Sequence, residues 1–408
     1  MKRHGGFSLV EIMIGMVLGL FITIGIMQLF IGSNRNYQFY DAFARIQENG
    51  RFALELLNNT IRMANFTGCA LTSNGTDPLV GNVLRNNRTN TNPDWWVDVN
   101  GNKDELPPFP SRPAWEGMLR GYDGNQEFPD PFGSSPAARI EGTDAIISLG
   151  GSGKYPIVAA NAQVFTLGQI ARANGRPLRR GDLMLVCDNN ANLTLFQITS
   201  QLDINNPPYV VAHGTDNTIV PGNQTADTVV YSPNAPNPPT TDTTTTVVYT
   251  DDDSMVDYAP TAFYIGASSS GATCPPSRSL FQMQLTVTEA GVARMEAQEV
   301  VEGVWDMQIY YGEDTSAPVD GIPDVYVNAP NVANWARVVS VRIHLLLVSL
   351  ENNILSQEQT YLYTHAENSR ISGVTVTATT TLCDDQEVPD KRWYQVFTTT
   401  IGIRNRLK

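Results

Sequence analysis

The sequence predicts an α+β protein: one long N-terminal α-helix, membrane-spanning in its first half, packed on an antiparallel β-sheet head with a large loop-rich insertion. Three observations predict it. No residue from Ile12 to Ser33 is charged, and no proline occurs between Phe7 and Met63. Over residues 280–408 apolar residues recur in short, often alternating runs, as on half-buried strands. Between these regions, residues 73–143 are rich in Asn, Pro, Gly and Asp and carry no helical period.

The uncharged run covers 22 residues. At about 1.5 Å per residue it gives roughly 33 Å of helix, enough to cross a bilayer core of about 30 Å. Lys2 and Arg3 precede it and are expected on the cytoplasmic side. A secretory signal peptide has a shorter apolar core followed by small residues, whereas Gly5 and Gly6 stand before the run. Phe39, Phe43, Ile46, Ala53, Leu57 and Ile61 then follow spacings close to three and four, with Arg35, Asp41, Arg45, Glu48, Arg51 and Glu55 largely off that stripe. The expectation is one helix of about 55 residues, approximately 80 Å long. Gly15 and Gly19 form a G-x-x-x-G pair, and Gly25 and Gly32 are the expected places for local unwinding.

In the head, strands are expected at 145–149, 162–167 and 183–187. The last should form a hairpin with 193–199 across the turn cluster Asp188–Asn192. Residues 233–253, rich in Pro and Thr and closed by three aspartates, read as an exposed loop. Further strands are expected at 280–288 and 293–300, joined around Glu289-Ala290-Gly291, and then at 304–311, 339–347, 359–364, 374–381 and 393–403. Together these should complete one antiparallel sheet.

Composition narrows the function. Net charge is −14 with 42% hydrophobic and 17% charged residues, and no basic stripe marks a nucleic-acid surface, so no direct nucleic-acid partner is expected. Catalytic constellations are missing, and the chain is not expected to be an enzyme. His4, His213, His344 and His365 have no metal-ligand spacing, and Gly150–Tyr155 lacks the glycine and the Ser/Thr of a phosphate loop. Cofactors are expected to be none, with calcium the candidate exception. Asp98, Asn100, Asn102 and Asp104 offer oxygens at alternate positions, but no glutamate stands at the twelfth. Asp314, Asp320 and Asp324 form the second acidic cluster. Cys69, Cys187, Cys274 and Cys383 have no zinc spacing. An even number beside an export segment favours two disulfides over four buried thiols, with three pairings open.

Glu11 is the unusual residue of the apolar segment. A carboxylate at the edge of such a span costs on the order of 2–3 kcal/mol unless it pairs or reaches interfacial water. Cleavage after Gly6 would create a partner in the new α-amino group of Phe7, one helical turn away or on a neighbouring subunit. Gly6-Phe7-Ser8-Leu9-Val10-Glu11 resembles the class III signal of type IV prepilins. Three C-terminal segments, Glu302–Gly312, Trp335–Ile343 and Phe397–Arg406, resemble PilW-type minor pilins and, more loosely, the J-type pseudopilins of type II secretion.

The resemblance covers residues 1–70 and 280–408, and it implies the type IV pilin fold. Residues 1–6 would be a prepilin leader, 7–34 the transmembrane and assembly helix, and 35–72 its amphipathic second half. Residues 73–279 would form an insertion region of the periplasmic head, and 280–408 its C-terminal sheet region. A prepilin peptidase would cut between Gly6 and Phe7 and methylate the Phe7 amine, and Glu11 would pair with a neighbouring subunit during assembly. The implied partners are other minor pilins, the major pilin, a tip adhesin, the prepilin peptidase and the inner-membrane assembly platform. The implied location is the inner membrane with a periplasmic head, and after assembly the filament or its tip. A type II secretion pseudopilin and a membrane-anchored adhesin that never polymerises are the competing readings.

Overall fold

The computed structural model describes residues 9–64, 66, 79–82, 119–126, 139–161, 164–187, 192–216, 218–219, 222–223, 229–231, 244–246, 249–251, 253–270, 276–367, 370–377, 381–383, 386–388 and 390–404. One α-helix, Leu9–Arg62, runs 54 residues without a break. The expected unwinding at Gly25 and Gly32 does not occur. An interior glycine costs about 1 kcal/mol, too little to interrupt a helix with long apolar turns on both sides.

The head is built from three principal sheets. The first has seven strands, in the spatial order Leu79–Asn82, Asn192–Gln197, Leu183–Cys187, Ser254–Tyr258, Gly151–Ala160, Val164–Leu167 and Tyr209–Ala212. The second has five: Ala293–Glu302, Arg278–Val287, Thr261–Ala267, Ala145–Ser148 and Leu119–Tyr122. The third has four: Val325–Val327, Val304–Glu313, Val338–Val348 and Tyr394–Gly402. Two chain segments run through both larger sheets. Ser148 lies opposite Thr261 in one and Gly151 opposite Tyr258 in the other, and Ala259 N–H donates to the Gly150 carbonyl (2.9 Å) between them. The inner faces of the seven- and five-stranded sheets meet in one core that includes Leu185, Leu195, Val256, Tyr264, Met283 and Met295.

The hairpin expected across residues 188–192 is present, with Cys187 opposite Leu193. So is the one around Gly291, which needs its glycine. There φ is +82°, and a Cβ would fall 2.5 Å from the Ile219 side chain. Other expectations shift. Residues 279 and 280 lie within the strand Arg278–Val287, and its sheet draws on chain to both sides. Among the described residues, strands Thr360–Glu367 and Arg370–Thr377 pair with each other in a two-stranded sheet and not with the C-terminal sheet. Gly151–Ala160 is a ten-residue strand despite its glycines and proline, because Tyr155 and Ile157 turn inward while Lys154, Pro156 and Val158 face water.

The outer half of the long helix lies on this head. Ala42, Ile46, Gly50, Ala53, Leu57 and Ile61 are buried. The last four apolar ones, from Ile46 on, share a core with Val304, Met307, Ile309, Val341, Ile343, Leu345 and Ile401 of the four-stranded sheet. The apolar face of the helix and the inward side chains of alternating strands therefore complete each other.

Candidate functional site

Two surfaces of the helix concern function. The first is its N-terminal half. Every residue from Leu9 to Gln38 is exposed, although the stretch to Ile31 is rich in Leu, Ile, Met, Val and Phe. This is the one described helix long and apolar enough to cross a membrane. Glu11 sits in its first turn, where a carboxylate complements the positive end of the helix dipole. Gly6 and Phe7 lie outside the described residues.

The second surface is the seam between the helix and the head. It begins at Phe39 and Phe43, whose rings meet Trp393 at centroid distances of 5.3 and 6.5 Å. One turn on, Arg45 pairs with Asp41 (3.0 Å) and approaches Glu351 (3.8 Å). Gln47 donates to Gln395 (2.8 Å) and Asn49 to the Glu302 carbonyl (3.0 Å). Gly50 accepts the tip of the Phe397 ring where a Cβ would stand 2.5 Å away, so glycine is there for close approach. At the far end Arg404 N–H donates to the Arg62 carbonyl (3.2 Å), and Gly151 N–H donates to that of Phe66. The polar pairs are rim contacts, and the buried apolar row carries most of the docking energy. Sequence reasoning found the row but not Trp393, Gln395 and Phe397. The alternation of Gln395 and Phe397 in the strand Tyr394–Gly402, with Trp393 just before it, was the available signal, yet it did not say that they face a helix some 350 residues earlier.

The acidic candidates resolve differently. Asp98, Asn100, Asn102 and Asp104 lie outside the described residues. Asp314 is fully buried, and its carboxylate accepts the backbone N–H groups of Ser316, Asp320 and Gly321 (3.1, 2.9 and 2.6 Å) and the Ser316 hydroxyl (2.6 Å). Burial alone would raise this carboxyl, but those donors hold it below the usual range. Asp324 accepts from the Thr315 N–H (2.7 Å) and hydroxyl (3.1 Å), and Asp320 from the Ile322 N–H (2.9 Å). These hydrogen bonds organise a loop. Among the described residues, no group of three or more His, Cys, Asp or Glu is placed to hold a metal ion.

Cys187 is buried at the end of its strand. Cys69 and Cys274 lie outside the described residues, and Cys383 falls in the short strand Thr381–Cys383. His344 faces Thr398 (Nδ1 to Oγ1, 2.9 Å), and burial, reinforced by Arg342, lowers its pKa to about 4. It is a neutral sheet residue at neutral pH. Two ionic knots stiffen the head. In one, Arg172 donates to Asp182 (2.7 Å) and Asp257 (2.6 Å), and Asp257 also accepts from the Tyr155 hydroxyl (2.8 Å). In the other, buried Arg392 grips Asp390 (2.7 Å), which also accepts from the Tyr394 hydroxyl (2.6 Å), while Arg392 lies 4.7 Å from the centre of the Trp305 ring.

Comparison with known proteins agrees with the division into helix and sheet. A family model described as type IV pilus-assembly protein W (PilW) matches residues 262–405. A model of the prokaryotic N-terminal methylation motif matches residues 1–27. No curated protein and no solved structure matches the chain.

Proposed function

From the premise that this chain is type IV pilus minor pilin-like, we propose that it helps initiate pilus assembly and sits at or near the pilus tip. Its task is structural, as is that of the pilin-family domains it carries. It is membrane-anchored by its N-terminal helix, and its contacts are with other pilus components. In the proposed sequence of events, Lys2 and Arg3 hold the N-terminus in the cytoplasm and the head folds in the periplasm. A prepilin peptidase then cuts between Gly6 and Phe7 and methylates the new amine. Glu11 is drawn to the amine of an adjacent subunit as the apolar half leaves lipid for the filament. Other minor pilins, the major pilin, a tip adhesin and the inner-membrane platform are the proposed partners.

The observation that carries this reading is the unbroken helix Leu9–Arg62, whose apolar first half is exposed while its second half is docked on the head. A subunit built this way can exchange one apolar surrounding for another without unfolding. Mass spectrometry of sheared filaments tests it. The chain should be present in few copies and begin at methylated Phe7, and Gly6→Val should block processing. An intact Met1, or absence from filaments together with presence in a secretion apparatus, would overturn it.

A further inference from the structure

The character of the helix changes abruptly where the apolar run ends. Ile12–Ile31 is 20 residues, about 30 Å, the thickness of a hydrocarbon core. The next stretch, Ser33-Asn34-Arg35-Asn36-Tyr37-Gln38-Phe39-Tyr40, has seven of eight side chains able to hydrogen-bond, and Phe39 alone turns to the head to meet Trp393. Tyr37 and Tyr40 are 73% and 69% exposed, three residues apart on one side of the helix. Arg35 is exposed as well.

This stretch does not continue the aliphatic and small side chains of Ile12–Ile31. Rings that are apolar along their length and polar at the tip suit the water–lipid boundary, and a guanidinium suits phosphate. The heights agree. Tyr37 and Tyr40 stand six and nine residues beyond Ile31, a rise of about 9 and 13 Å, and the headgroup layer is roughly 5–8 Å deep on each side. Helical side chains lean toward the helix N-terminus, here toward the bilayer, which brings both phenols down into or onto that layer.

We propose that Arg35, Tyr37 and Tyr40 form a collar that binds the phospholipid headgroups of the leaflet next to the head. This rests on the reading that the helix spans a membrane before assembly. Because Phe39 and Phe43 lock onto Trp393 at the same level, the collar fixes the height of the head as well as that of the helix. It releases when the subunit is extracted.

The test uses the full chain, one copy per phosphatidylethanolamine/phosphatidylglycerol nanodisc. A 3-fluorotyrosine is placed at position 37, 40 or 326, or a 4-fluorophenylalanine at position 21. Tyr326 is the head control, since it lies opposite Gly312, Gly312 opposite Ser340 and Ser340 opposite Gly402, near the Arg62 end of the helix. Headgroup-nitroxide lipid should broaden the resonances at 37 and 40 at least about threefold more than at 326, and mid-chain nitroxide should broaden that at 21. Equal broadening at 37, 40 and 326, with position 21 responding, overturns the collar and leaves the spanning helix intact. No response at 21 overturns both. Broadening at 37 and 40 that appears only with two copies per disc assigns these residues to a second helix and rejects the lipid contact.

Discussion

Leu57 and Leu20 occupy one helix and should answer the same substitution in opposite ways. Leu57 is 0% exposed and belongs to the core that joins the helix to Val304, Ile343 and Ile401. Replacing it with alanine removes its transfer free energy and leaves a cavity among strands that cannot collapse inward. The expected loss is about 3 kcal/mol, within the 2–5 kcal/mol typical of buried Leu→Ala changes. Helix propensity offsets little, since alanine is better than leucine by only a few tenths of a kcal/mol. Leu20 is 62% exposed and touches no part of the described head, so Leu20→Ala should leave head stability unchanged within about 0.5 kcal/mol. The assay is urea unfolding in detergent micelles, followed through tryptophan fluorescence. Of the six tryptophans, Trp305, Trp335 and Trp393 lie in or beside the four-stranded sheet and report on it. A loss below about 1 kcal/mol at Leu57, or equal losses at both sites, would show that the outer helix merely rests on the head.

Three other outcomes follow from the same geometry. Burial alone would raise the Asp390 carboxyl, but hydrogen bonds from Arg392 and Tyr394 hold it below its usual value. Its contribution is therefore present above the unfolded value near pH 4 and lost as pH falls through the folded one. Asp390→Asn should flatten the acid limb of the stability–pH curve and, by leaving Arg392 buried without its counter-ion, cost about 3–5 kcal/mol at neutral pH. Glu11→Ala and Glu11→Gln should insert and fold normally yet be missing from sheared filaments, and wild-type incorporation of both would reduce Glu11 to an interfacial residue. Non-reducing peptide mapping should find two disulfides among Cys69, Cys187, Cys274 and Cys383, each worth about 2–4 kcal/mol; four alkylatable thiols in the native protein would refute that.

The helix was legible because its determinants are local. Charge absence, the missing proline and the stripe through Ile46, Ala53, Leu57 and Ile61 all lie within a few turns of the residues they govern. Hairpins were legible for the same reason, as at Gly291. Strand partners were not. Ala145–Ser148 pairs with Thr261–Ala267 across more than 110 residues, and nothing near either segment specifies the other. The strands at 79–82, 119–122, 254–258 and 261–267 went unread because they are short or sit beside loop-like sequence. The acidic cluster at Asp314 shows another limit. Carboxylates spaced along a loop look alike in sequence whether or not they accept from their own backbone N–H groups, as Asp314 does. Trp393 and Phe397 are the functional counterpart, since each reads as an ordinary strand residue until the helix is placed against it.

Continuity of the helix is what makes these separate features one device. If the chain bent freely at Gly25 or Gly32, the apolar half could move between surroundings without consequence for the head. In an unbroken helix each residue of vertical shift moves every later residue by about 1.5 Å, so the depth of the first half sets the position of the second. The seam must therefore resist axial load. It does so by interdigitation rather than by charge: Phe397 enters the gap at Gly50, Phe39 and Phe43 straddle Trp393, and the exposed Arg45–Glu351 contact contributes little. Packing of this kind loses little strength in salt, whereas exposed ion pairs are screened. In the proposed assembly, a head that stays attached while its anchor passes from lipid to protein is better held by shape, and the glycine at position 50 is the residue that lets the shapes meet.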